Sequence, residues 1–124
     1  MPRDAVGAAR VQRWFSVAAG PLAYGPAAAR IMALFGLSTD PTETITRSHA
    51  LLSVMEMHLQ KLPFLAGPAA TLADIANYAY VAHAPEGSVA LDAYPNVCGW
   101  LERVEALPGF VPMVRTPIGL AAVA

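Results

Sequence analysis

Between Gly67 and Pro85 the chain carries a single formally charged side chain, Asp74, in an otherwise apolar stretch that runs through Thr71-Leu72-Ala73-Asp74-Ile75 to His83. Thr followed three residues later by an acid is the pattern of a capping box. The Thr71 hydroxyl accepts from the N3 amide and the Asp74 carboxylate accepts from the Thr71 amide, so two donors orphaned at the helix start are satisfied locally. A helix that is apolar nearly all round belongs inside a protein, which predicts a buried central helix beginning at Thr71 with others packed about it. Asp74 then reads as a structural cap and helix-dipole partner, not as a general base.

The flanking segments read as helices too. Asp4 is placed to cap a first helix whose apolar positions Ala8, Val11, Phe15 and Ala18 recur at helical spacing until Gly20-Pro21. Its neighbouring face brings together Arg10, Arg13, Trp14 and Val17, two cations with an aromatic and an aliphatic side chain. That face is either a ligand-contact surface or a solvated edge with Trp14 turned inward, because arginine stems cover apolar surface well. Pro26 opens a short helix ending at Gly36. Asp40-Pro41-Thr42-Glu43 starts a long one, with Ile45, Ser48, Leu52, Met55 and Leu59 as its inner stripe and Arg47, Glu56 and Lys61 outside, stopped by Leu62-Pro63. Pro85-Glu86-Gly87 ends the central helix. Tyr94-Pro95 begins a further one, with Val97, Trp100, Leu101, Val104 and Leu107 on one side, closed by Pro108-Gly109. The tail Arg115–Ala124 is apolar without a period. No segment alternates, so the class is all-α: a single-domain helical bundle over residues 1–124.

Several function classes are disfavoured. A net charge of −1 without a basic cluster gives no reason to expect nucleic acid. The start Met1-Pro2-Arg3-Asp4 lacks a signal-peptide pattern, and uncharged runs such as 15–29 are broken by Gly and Pro, which argues against a membrane span. The one cysteine, Cys98, forms no internal disulfide and fits the reducing cytoplasm. Set beside Val97 and Leu101, it reads as a small buried hydrophobe. His49, His58 and His83 have no metal-ligand spacing, and no metal site is expected; no glycine pattern for a phosphate is present. With 56% hydrophobic and only 14% charged residues, some apolar surface is expected to meet a partner. The expected place is a patch over the first and central helices, ringed by Arg10 and Arg13.

Taken together, Phe64-Leu65-Ala66-Gly67, Thr71-Leu72-Ala73-Asp74-Ile75-Ala76, Tyr94-Pro95-Asn96-Val97, Trp100-Leu101-Glu102-Arg103 and Leu107-Pro108-Gly109-Phe110 resemble, in order and spacing, the C-terminal half of cytosolic glutathione S-transferases. The segment from Arg13 to Gly36 is similar to helix four and its extension in bacterial members. The resemblance implies an all-helical bundle around a buried central helix. It also implies that the Thr71 and Asp74 box is accompanied by a hydrophobic staple of Ala70 and Ile75, thin because Ala70 offers only a methyl group. Family members place a thioredoxin-like domain ahead of this one, with the glutathione site and the Ser, Tyr or Cys that activates the thiol; the sequence is expected to lack that domain. The resemblance therefore implies no catalytic residue and no cofactor bound by this domain alone, with glutathione as the family's co-substrate. Arg10, Arg13, Trp14 and Val17 become the substrate-binding candidates for a hydrophobic electrophile, with the tail closing over them. A homodimer through the first and long helices and a role in detoxification are implied. The missing catalytic domain also admits a second reading, a non-catalytic protein-interaction module.

Overall fold

The computed structural model describes residues 1–116. Its helices are α1 (Ala5–Val17), α2 (Pro26–Leu34), α3 (Thr42–Lys61), α4 (Leu72–Ala82) and α5 (Pro95–Glu105). Among the described residues no strand forms; one isolated bridge pairs Phe64 with Gly67. The part of the apolar tail from residue 117 onward, and with it the expected closure of that stretch over a ligand, lies outside the described residues.

The capping box is formed. The Asp74 carboxylate accepts from the Thr71 amide at 2.9 Å, and the Thr71 hydroxyl accepts from the Ala73 amide at 3.2 Å. Asp74 does more than close its own helix. Its other oxygen accepts from the Leu65 amide at 2.9 Å and from the Trp100 indole N–H at 2.8 Å, with the residue wholly buried. One carboxylate thus joins the loop before α4, the start of α4 and the middle of α5. Asn77, one turn further along α4, donates to the Trp14 carbonyl at 3.0 Å and ties α4 to α1. Ile75 is largely exposed, so the implied staple with Ala70 adds little to this start.

The core is built on the expected stripe of α3, where Ser48, Leu52, Met55 and Leu59 are buried, and on Val97, Trp100, Leu101 and Val104 of α5. Three expectations change. The first helix buries Gly7, Val11 and Trp14, then Ala18 and Leu22, in place of the stripe through Ala8 and Phe15. Leu22 joins this face because the chain does not stop at Gly20-Pro21. It widens into a π-helical turn over Ala18–Leu22 that accommodates Pro21, which has no N–H to donate, and carries Leu22 into the core. Second, Glu56 is not an outer residue. Its carboxylate accepts from the Asn96 amide at 2.9 Å and the Val97 amide at 3.2 Å, capping α5, which has no side-chain cap of its own. Third, the central helix α4 is enclosed only on the side of Ala73, Asp74, Asn77, Tyr78, Val81 and Ala82; Leu72 and Ile75, each 52% exposed, and Tyr80 leave its other side open.

After α4 a 3₁₀ turn, Ala84–Gly87, lies directly on α2. A Cβ at Gly87 would stand 2.4 Å from the Arg30 amide nitrogen and 2.6 Å from the Ala29 carbonyl carbon, so the two backbones touch there.

Denaturant unfolding tests these contacts. Thr71→Ala is expected to cost about 1 kcal/mol, the usual worth of a cap. Asp74→Ala is expected to cost about 3 kcal/mol or more, because it also strands the buried Leu65 and Trp100 donors. Gly87→Ala should destabilise by about 1–3 kcal/mol through overpacking, whereas Gly20→Ala, where a Cβ meets nothing within 4 Å, should not destabilise. Equal midpoints for Asp74→Ala and the parent would contradict the three-way anchor.

Candidate functional site

The candidate residues of α1 divide by helical phase. Trp14, one turn after Val11, faces inward and is 3% exposed; Arg10 and Arg13 on either side of it are exposed. Arg10, Arg13 and Trp14 come together with His58, Leu62, Leu65 and Ala66 around a pocket of about 280 Å³ between α1, the end of α3 and the loop before α4. The Arg13 guanidinium lies 5.6 Å from the centre of the Trp14 ring, a cation–π contact. The His58 ring lies 5.0 Å from the same ring, and its Nε2–H donates to the Leu65 carbonyl at 2.7 Å. Val17 is not part of this group. One turn beyond Trp14, it packs half-buried against the core. Three of the four candidates therefore share one pocket.

The open side of α4 is a second feature. Ile75, Ala79 and the chain after α5, at Phe110, Val111 and Met113, border a groove of about 300 Å³. Ala79, Tyr80, His83 and Met113 border another of about 210 Å³ together with Ala27, Arg30 and Ile31 of α2. The apolar patch thus lies over α4, α2 and the chain after α5. Arg10 and Arg13 do not border either groove; they line the pocket on the α3 side.

The chain after α5 is fastened across this region. Phe110 meets Tyr78 edge-on at 5.1 Å, and the Tyr78 hydroxyl donates to Glu105 at 2.8 Å. Burial, reinforced by the Glu105 carboxylate, pushes the Tyr78 phenol up to about 12. Arg115 donates to the Ala82 carbonyl at 2.8 Å. Thr116 donates its amide at 2.5 Å, and also its hydroxyl, to Glu86. Glu86 is itself 4% exposed and accepts from Arg30 at 2.9 Å and from His83 Nδ1–H at 2.5 Å. Burial alone would raise its carboxyl, but the Thr116 hydroxyl and amide, Arg30 and His83 outweigh it and hold the group down to about 2. Sequence reasoning treated Glu86 only as part of a turn and did not single out Arg30. The available signal was an acid three residues after His83 at the end of an apolar helix, where a charge needs partners.

Elsewhere, Cys98 donates to the Leu91 carbonyl at 3.5 Å. Burial, with Glu56, Asp92 and Glu102 adding to it, pushes its thiol up, so it is held as the unreactive thiol. His49 Nδ1 and the Tyr94 hydroxyl are hydrogen-bonded at 2.6 Å. Among the described residues no three His, Cys, Asp or Glu side chains gather where they could hold a metal ion, and no helix is long and apolar enough to cross a membrane.

The geometry is that of a helical bundle with a side-chain-capped central helix, one side of that helix left partly open and a pocket beside its first helix. Comparison with known proteins gives the family. Residues 18–108 match the family described as Glutathione S-transferase, C-terminal domain, and the chain belongs to that family. Its fold is similar to a glutathione S-transferase from Pseudomonas fluorescens, with a TM-score of 0.83 and 32% identity over 90% of this chain and 58% of that one. It is equally similar to a glutathione S-transferase from Xanthobacter autotrophicus, with a TM-score of 0.83 and 30% identity over 100% of this chain and 61% of that one. A possible glutathione S-transferase from Rhodopseudomonas palustris matches with a TM-score of 0.80 and 30% identity over 94% of this chain and 55% of that one. The chain therefore spans somewhat more than half the length of these solved structures.

The Glu86 cluster has a pH signature. Its folded pKa is depressed, so its contribution is fully present above the ordinary value of 4.5 and is lost as pH falls through about 2. Urea midpoints measured from pH 5 down to pH 2 should fall more steeply for the parent than for Glu86→Gln, which has no carboxyl to protonate there. Parallel profiles would contradict the assignment of this carboxylate as a buried anion.

Proposed function

We propose that this chain is the helical half of a cytoplasmic glutathione S-transferase, contributing the electrophile pocket and the dimer surface to the conjugation of glutathione with a hydrophobic electrophile, a detoxification reaction. The observation that carries this reading is the open side of α4. Leu72 and Ile75 are half exposed on a helix whose opposite side is the core, and such a face needs a covering body. The cover we infer is a thioredoxin-like domain outside residues 1–124, these residues forming one helical domain of the larger assembly. That domain would hold glutathione and supply the group that turns its thiol into the nucleophilic thiolate.

Two properties of this chain support that division of labour. The Cys98 thiol and the Tyr78 phenol are both pushed up, which makes neither suited to activating a thiol near neutral pH. Arg10, Arg13 and Trp14 share a pocket, which supports their contact with the electrophile; Val17, one turn along α1, is assigned to the same role by its place on that helix. Exposed Val6 on α1 and exposed Val54 and Met57 on α3 support a homodimer through those helices. The unpaired Cys98 supports a reducing compartment.

Assayed alone with glutathione and a chloronitrobenzene electrophile, the chain is expected to give only the solution rate. Joined to a thioredoxin-like domain taken from a bacterial glutathione S-transferase, it is expected to turn over. Ile75→Asp should weaken that pairing at least tenfold, because it buries a charge in the apolar contact. Turnover by the chain alone would overturn the division of labour. Failure of the joined protein to turn over, with the α4 face still binding protein, would favour the non-catalytic interaction module.

A further inference from the structure

We infer that the groove between α2 and α4, beside the chain after α5, is a hydrolytic site in which His83 activates water against the carbonyl of a small, uncharged carboxylic ester such as an aryl acetate. The activity needs no glutathione and stands independently of the transferase reading.

His83 ends α4 only 2% exposed, and it borders a groove of about 210 Å³. Its Nδ1 is bonded to Glu86 at 2.5 Å. With the Glu86 carboxyl held down to about 2, that partner is an anion at neutral pH and can only accept. Nδ1 therefore carries the proton of the neutral ring, and Nε2 carries the lone pair. Nε2 has no protein partner among the described residues. The one wholly buried side-chain nitrogen or oxygen without a partner among them is Asn77 Oδ1, so Nε2 reaches accessible space, and the groove is the space that His83 borders.

Packing does not call for this arrangement. Glu86 already accepts from Arg30 and from the Thr116 amide and hydroxyl, so it is satisfied without the His83 proton. Turning a lone pair toward a groove walled by Ala27, Ile31, Ala79 and Met113 costs desolvation that an apolar side chain would avoid. What the pair supplies is an oriented base. The carboxylate fixes the tautomer and the ring, and stabilises the imidazolium that forms when Nε2 takes a proton. Arg30 borders the same groove; its Nε is spent on Glu86 at 2.9 Å, and its terminal nitrogens donate to no protein group among the described residues.

Water enters through the mouth formed by exposed Ile31, Tyr80 and Met113. Its oxygen attacks the ester carbonyl carbon as Nε2 removes one of its protons, and the carbonyl π pair moves to oxygen, where the Arg30 guanidinium supplies donors to the oxyanion. Collapse re-forms the carbonyl and breaks the bond to the phenol or alcohol oxygen, which leaves with the proton returned by Nε2. Acid and alcohol are the products, with no change of oxidation state. An uncharged ester of one ring suits the apolar walls and the volume.

The test uses the full chain with 4-nitrophenyl acetate and no glutathione, followed by release of 4-nitrophenolate. Saturable turnover is expected at least about 100-fold above an equal concentration of free 4-methylimidazole, and slower in D2O because a proton moves during the attack. His83→Ala should fall to the solution rate, and added imidazole should restore part of the turnover by entering the space left. Ile31→Trp provides a second variant that keeps the buried pair in place: the residue is exposed at the mouth, and the larger side chain should close the groove and abolish turnover. Glu86 is a positioning residue, so Glu86→Gln should lower kcat at least about tenfold with KM unchanged, a split that a merely loosened groove would not give. Turnover no faster than free 4-methylimidazole, or turnover persisting in His83→Ala or Ile31→Trp, would overturn the inference. No arm measures conjugation. Failure here therefore leaves the transferase reading untouched, and a joined protein that fails to conjugate leaves the hydrolytic site standing.

Discussion

The structure depends on one buried carboxylate. Asp74 has no exposed surface, and both of its oxygens are used, one on the Thr71 amide and the other on the Leu65 amide and the Trp100 indole. A buried anion is tolerable only with such a set of donors, and here the donors come from segments distant in sequence. The loop that delivers the chain from α3, the first turn of α4 and the middle of α5 are therefore positioned by the same group. Asn77 extends this to α1 through the Trp14 carbonyl. The pocket beside Trp14 and Leu65 inherits its shape from these bonds, since both residues that form its floor are fixed through α4.

What was legible in the sequence was local. Thr71 and Asp74 lie within one helical turn, and a capping box is a relation between near neighbours. The inner stripe of α3 and the apolar side of α5 follow from periodicity alone; Ser48, Leu52, Met55 and Leu59 and Val97, Trp100, Leu101 and Val104 are buried as expected, while Ile45 and Leu107 are only partly buried against the core. The resemblance carried by the run from Phe64 to Phe110 led to the family that the match over residues 18–108 establishes.

What was illegible was long-range. Glu56 sits at an outer-looking position on α3, yet it caps α5 across a separation of 40 residues. Glu86 reads as a turn residue until Arg30 and Thr116 arrive from opposite ends of the chain. The inward turn of Trp14 was one of the two readings the sequence offered, but the burial of Leu22 depends on the chain passing through Pro21 by a π-helical turn, where the usual breaker reading stops the helix. The open side of α4 was hidden for another reason: an apolar helix states that it must be covered, but not whether the cover lies in the same chain. Leu72 and Ile75 are the apolar residues of α4 that the described residues leave half exposed. The molecule thus has two distinct surfaces, an apolar one on α4 and a cationic pocket on α1, with Asp74 and Asn77 linking the helices that bear them.

Native-state hydrogen exchange tests the central claim, that Asp74 makes the loop before α4, the start of α4 and the centre of α5 one unit. The Leu65 and Thr71 amides and the Trp100 indole N–H should exchange with a common opening free energy, close to that of the most protected amides of α4, despite two of them lying outside any helix. Rapid exchange at Leu65 and Trp100 while the interior of α4 stays protected would show that the carboxylate serves its own helix alone, and would contradict the account.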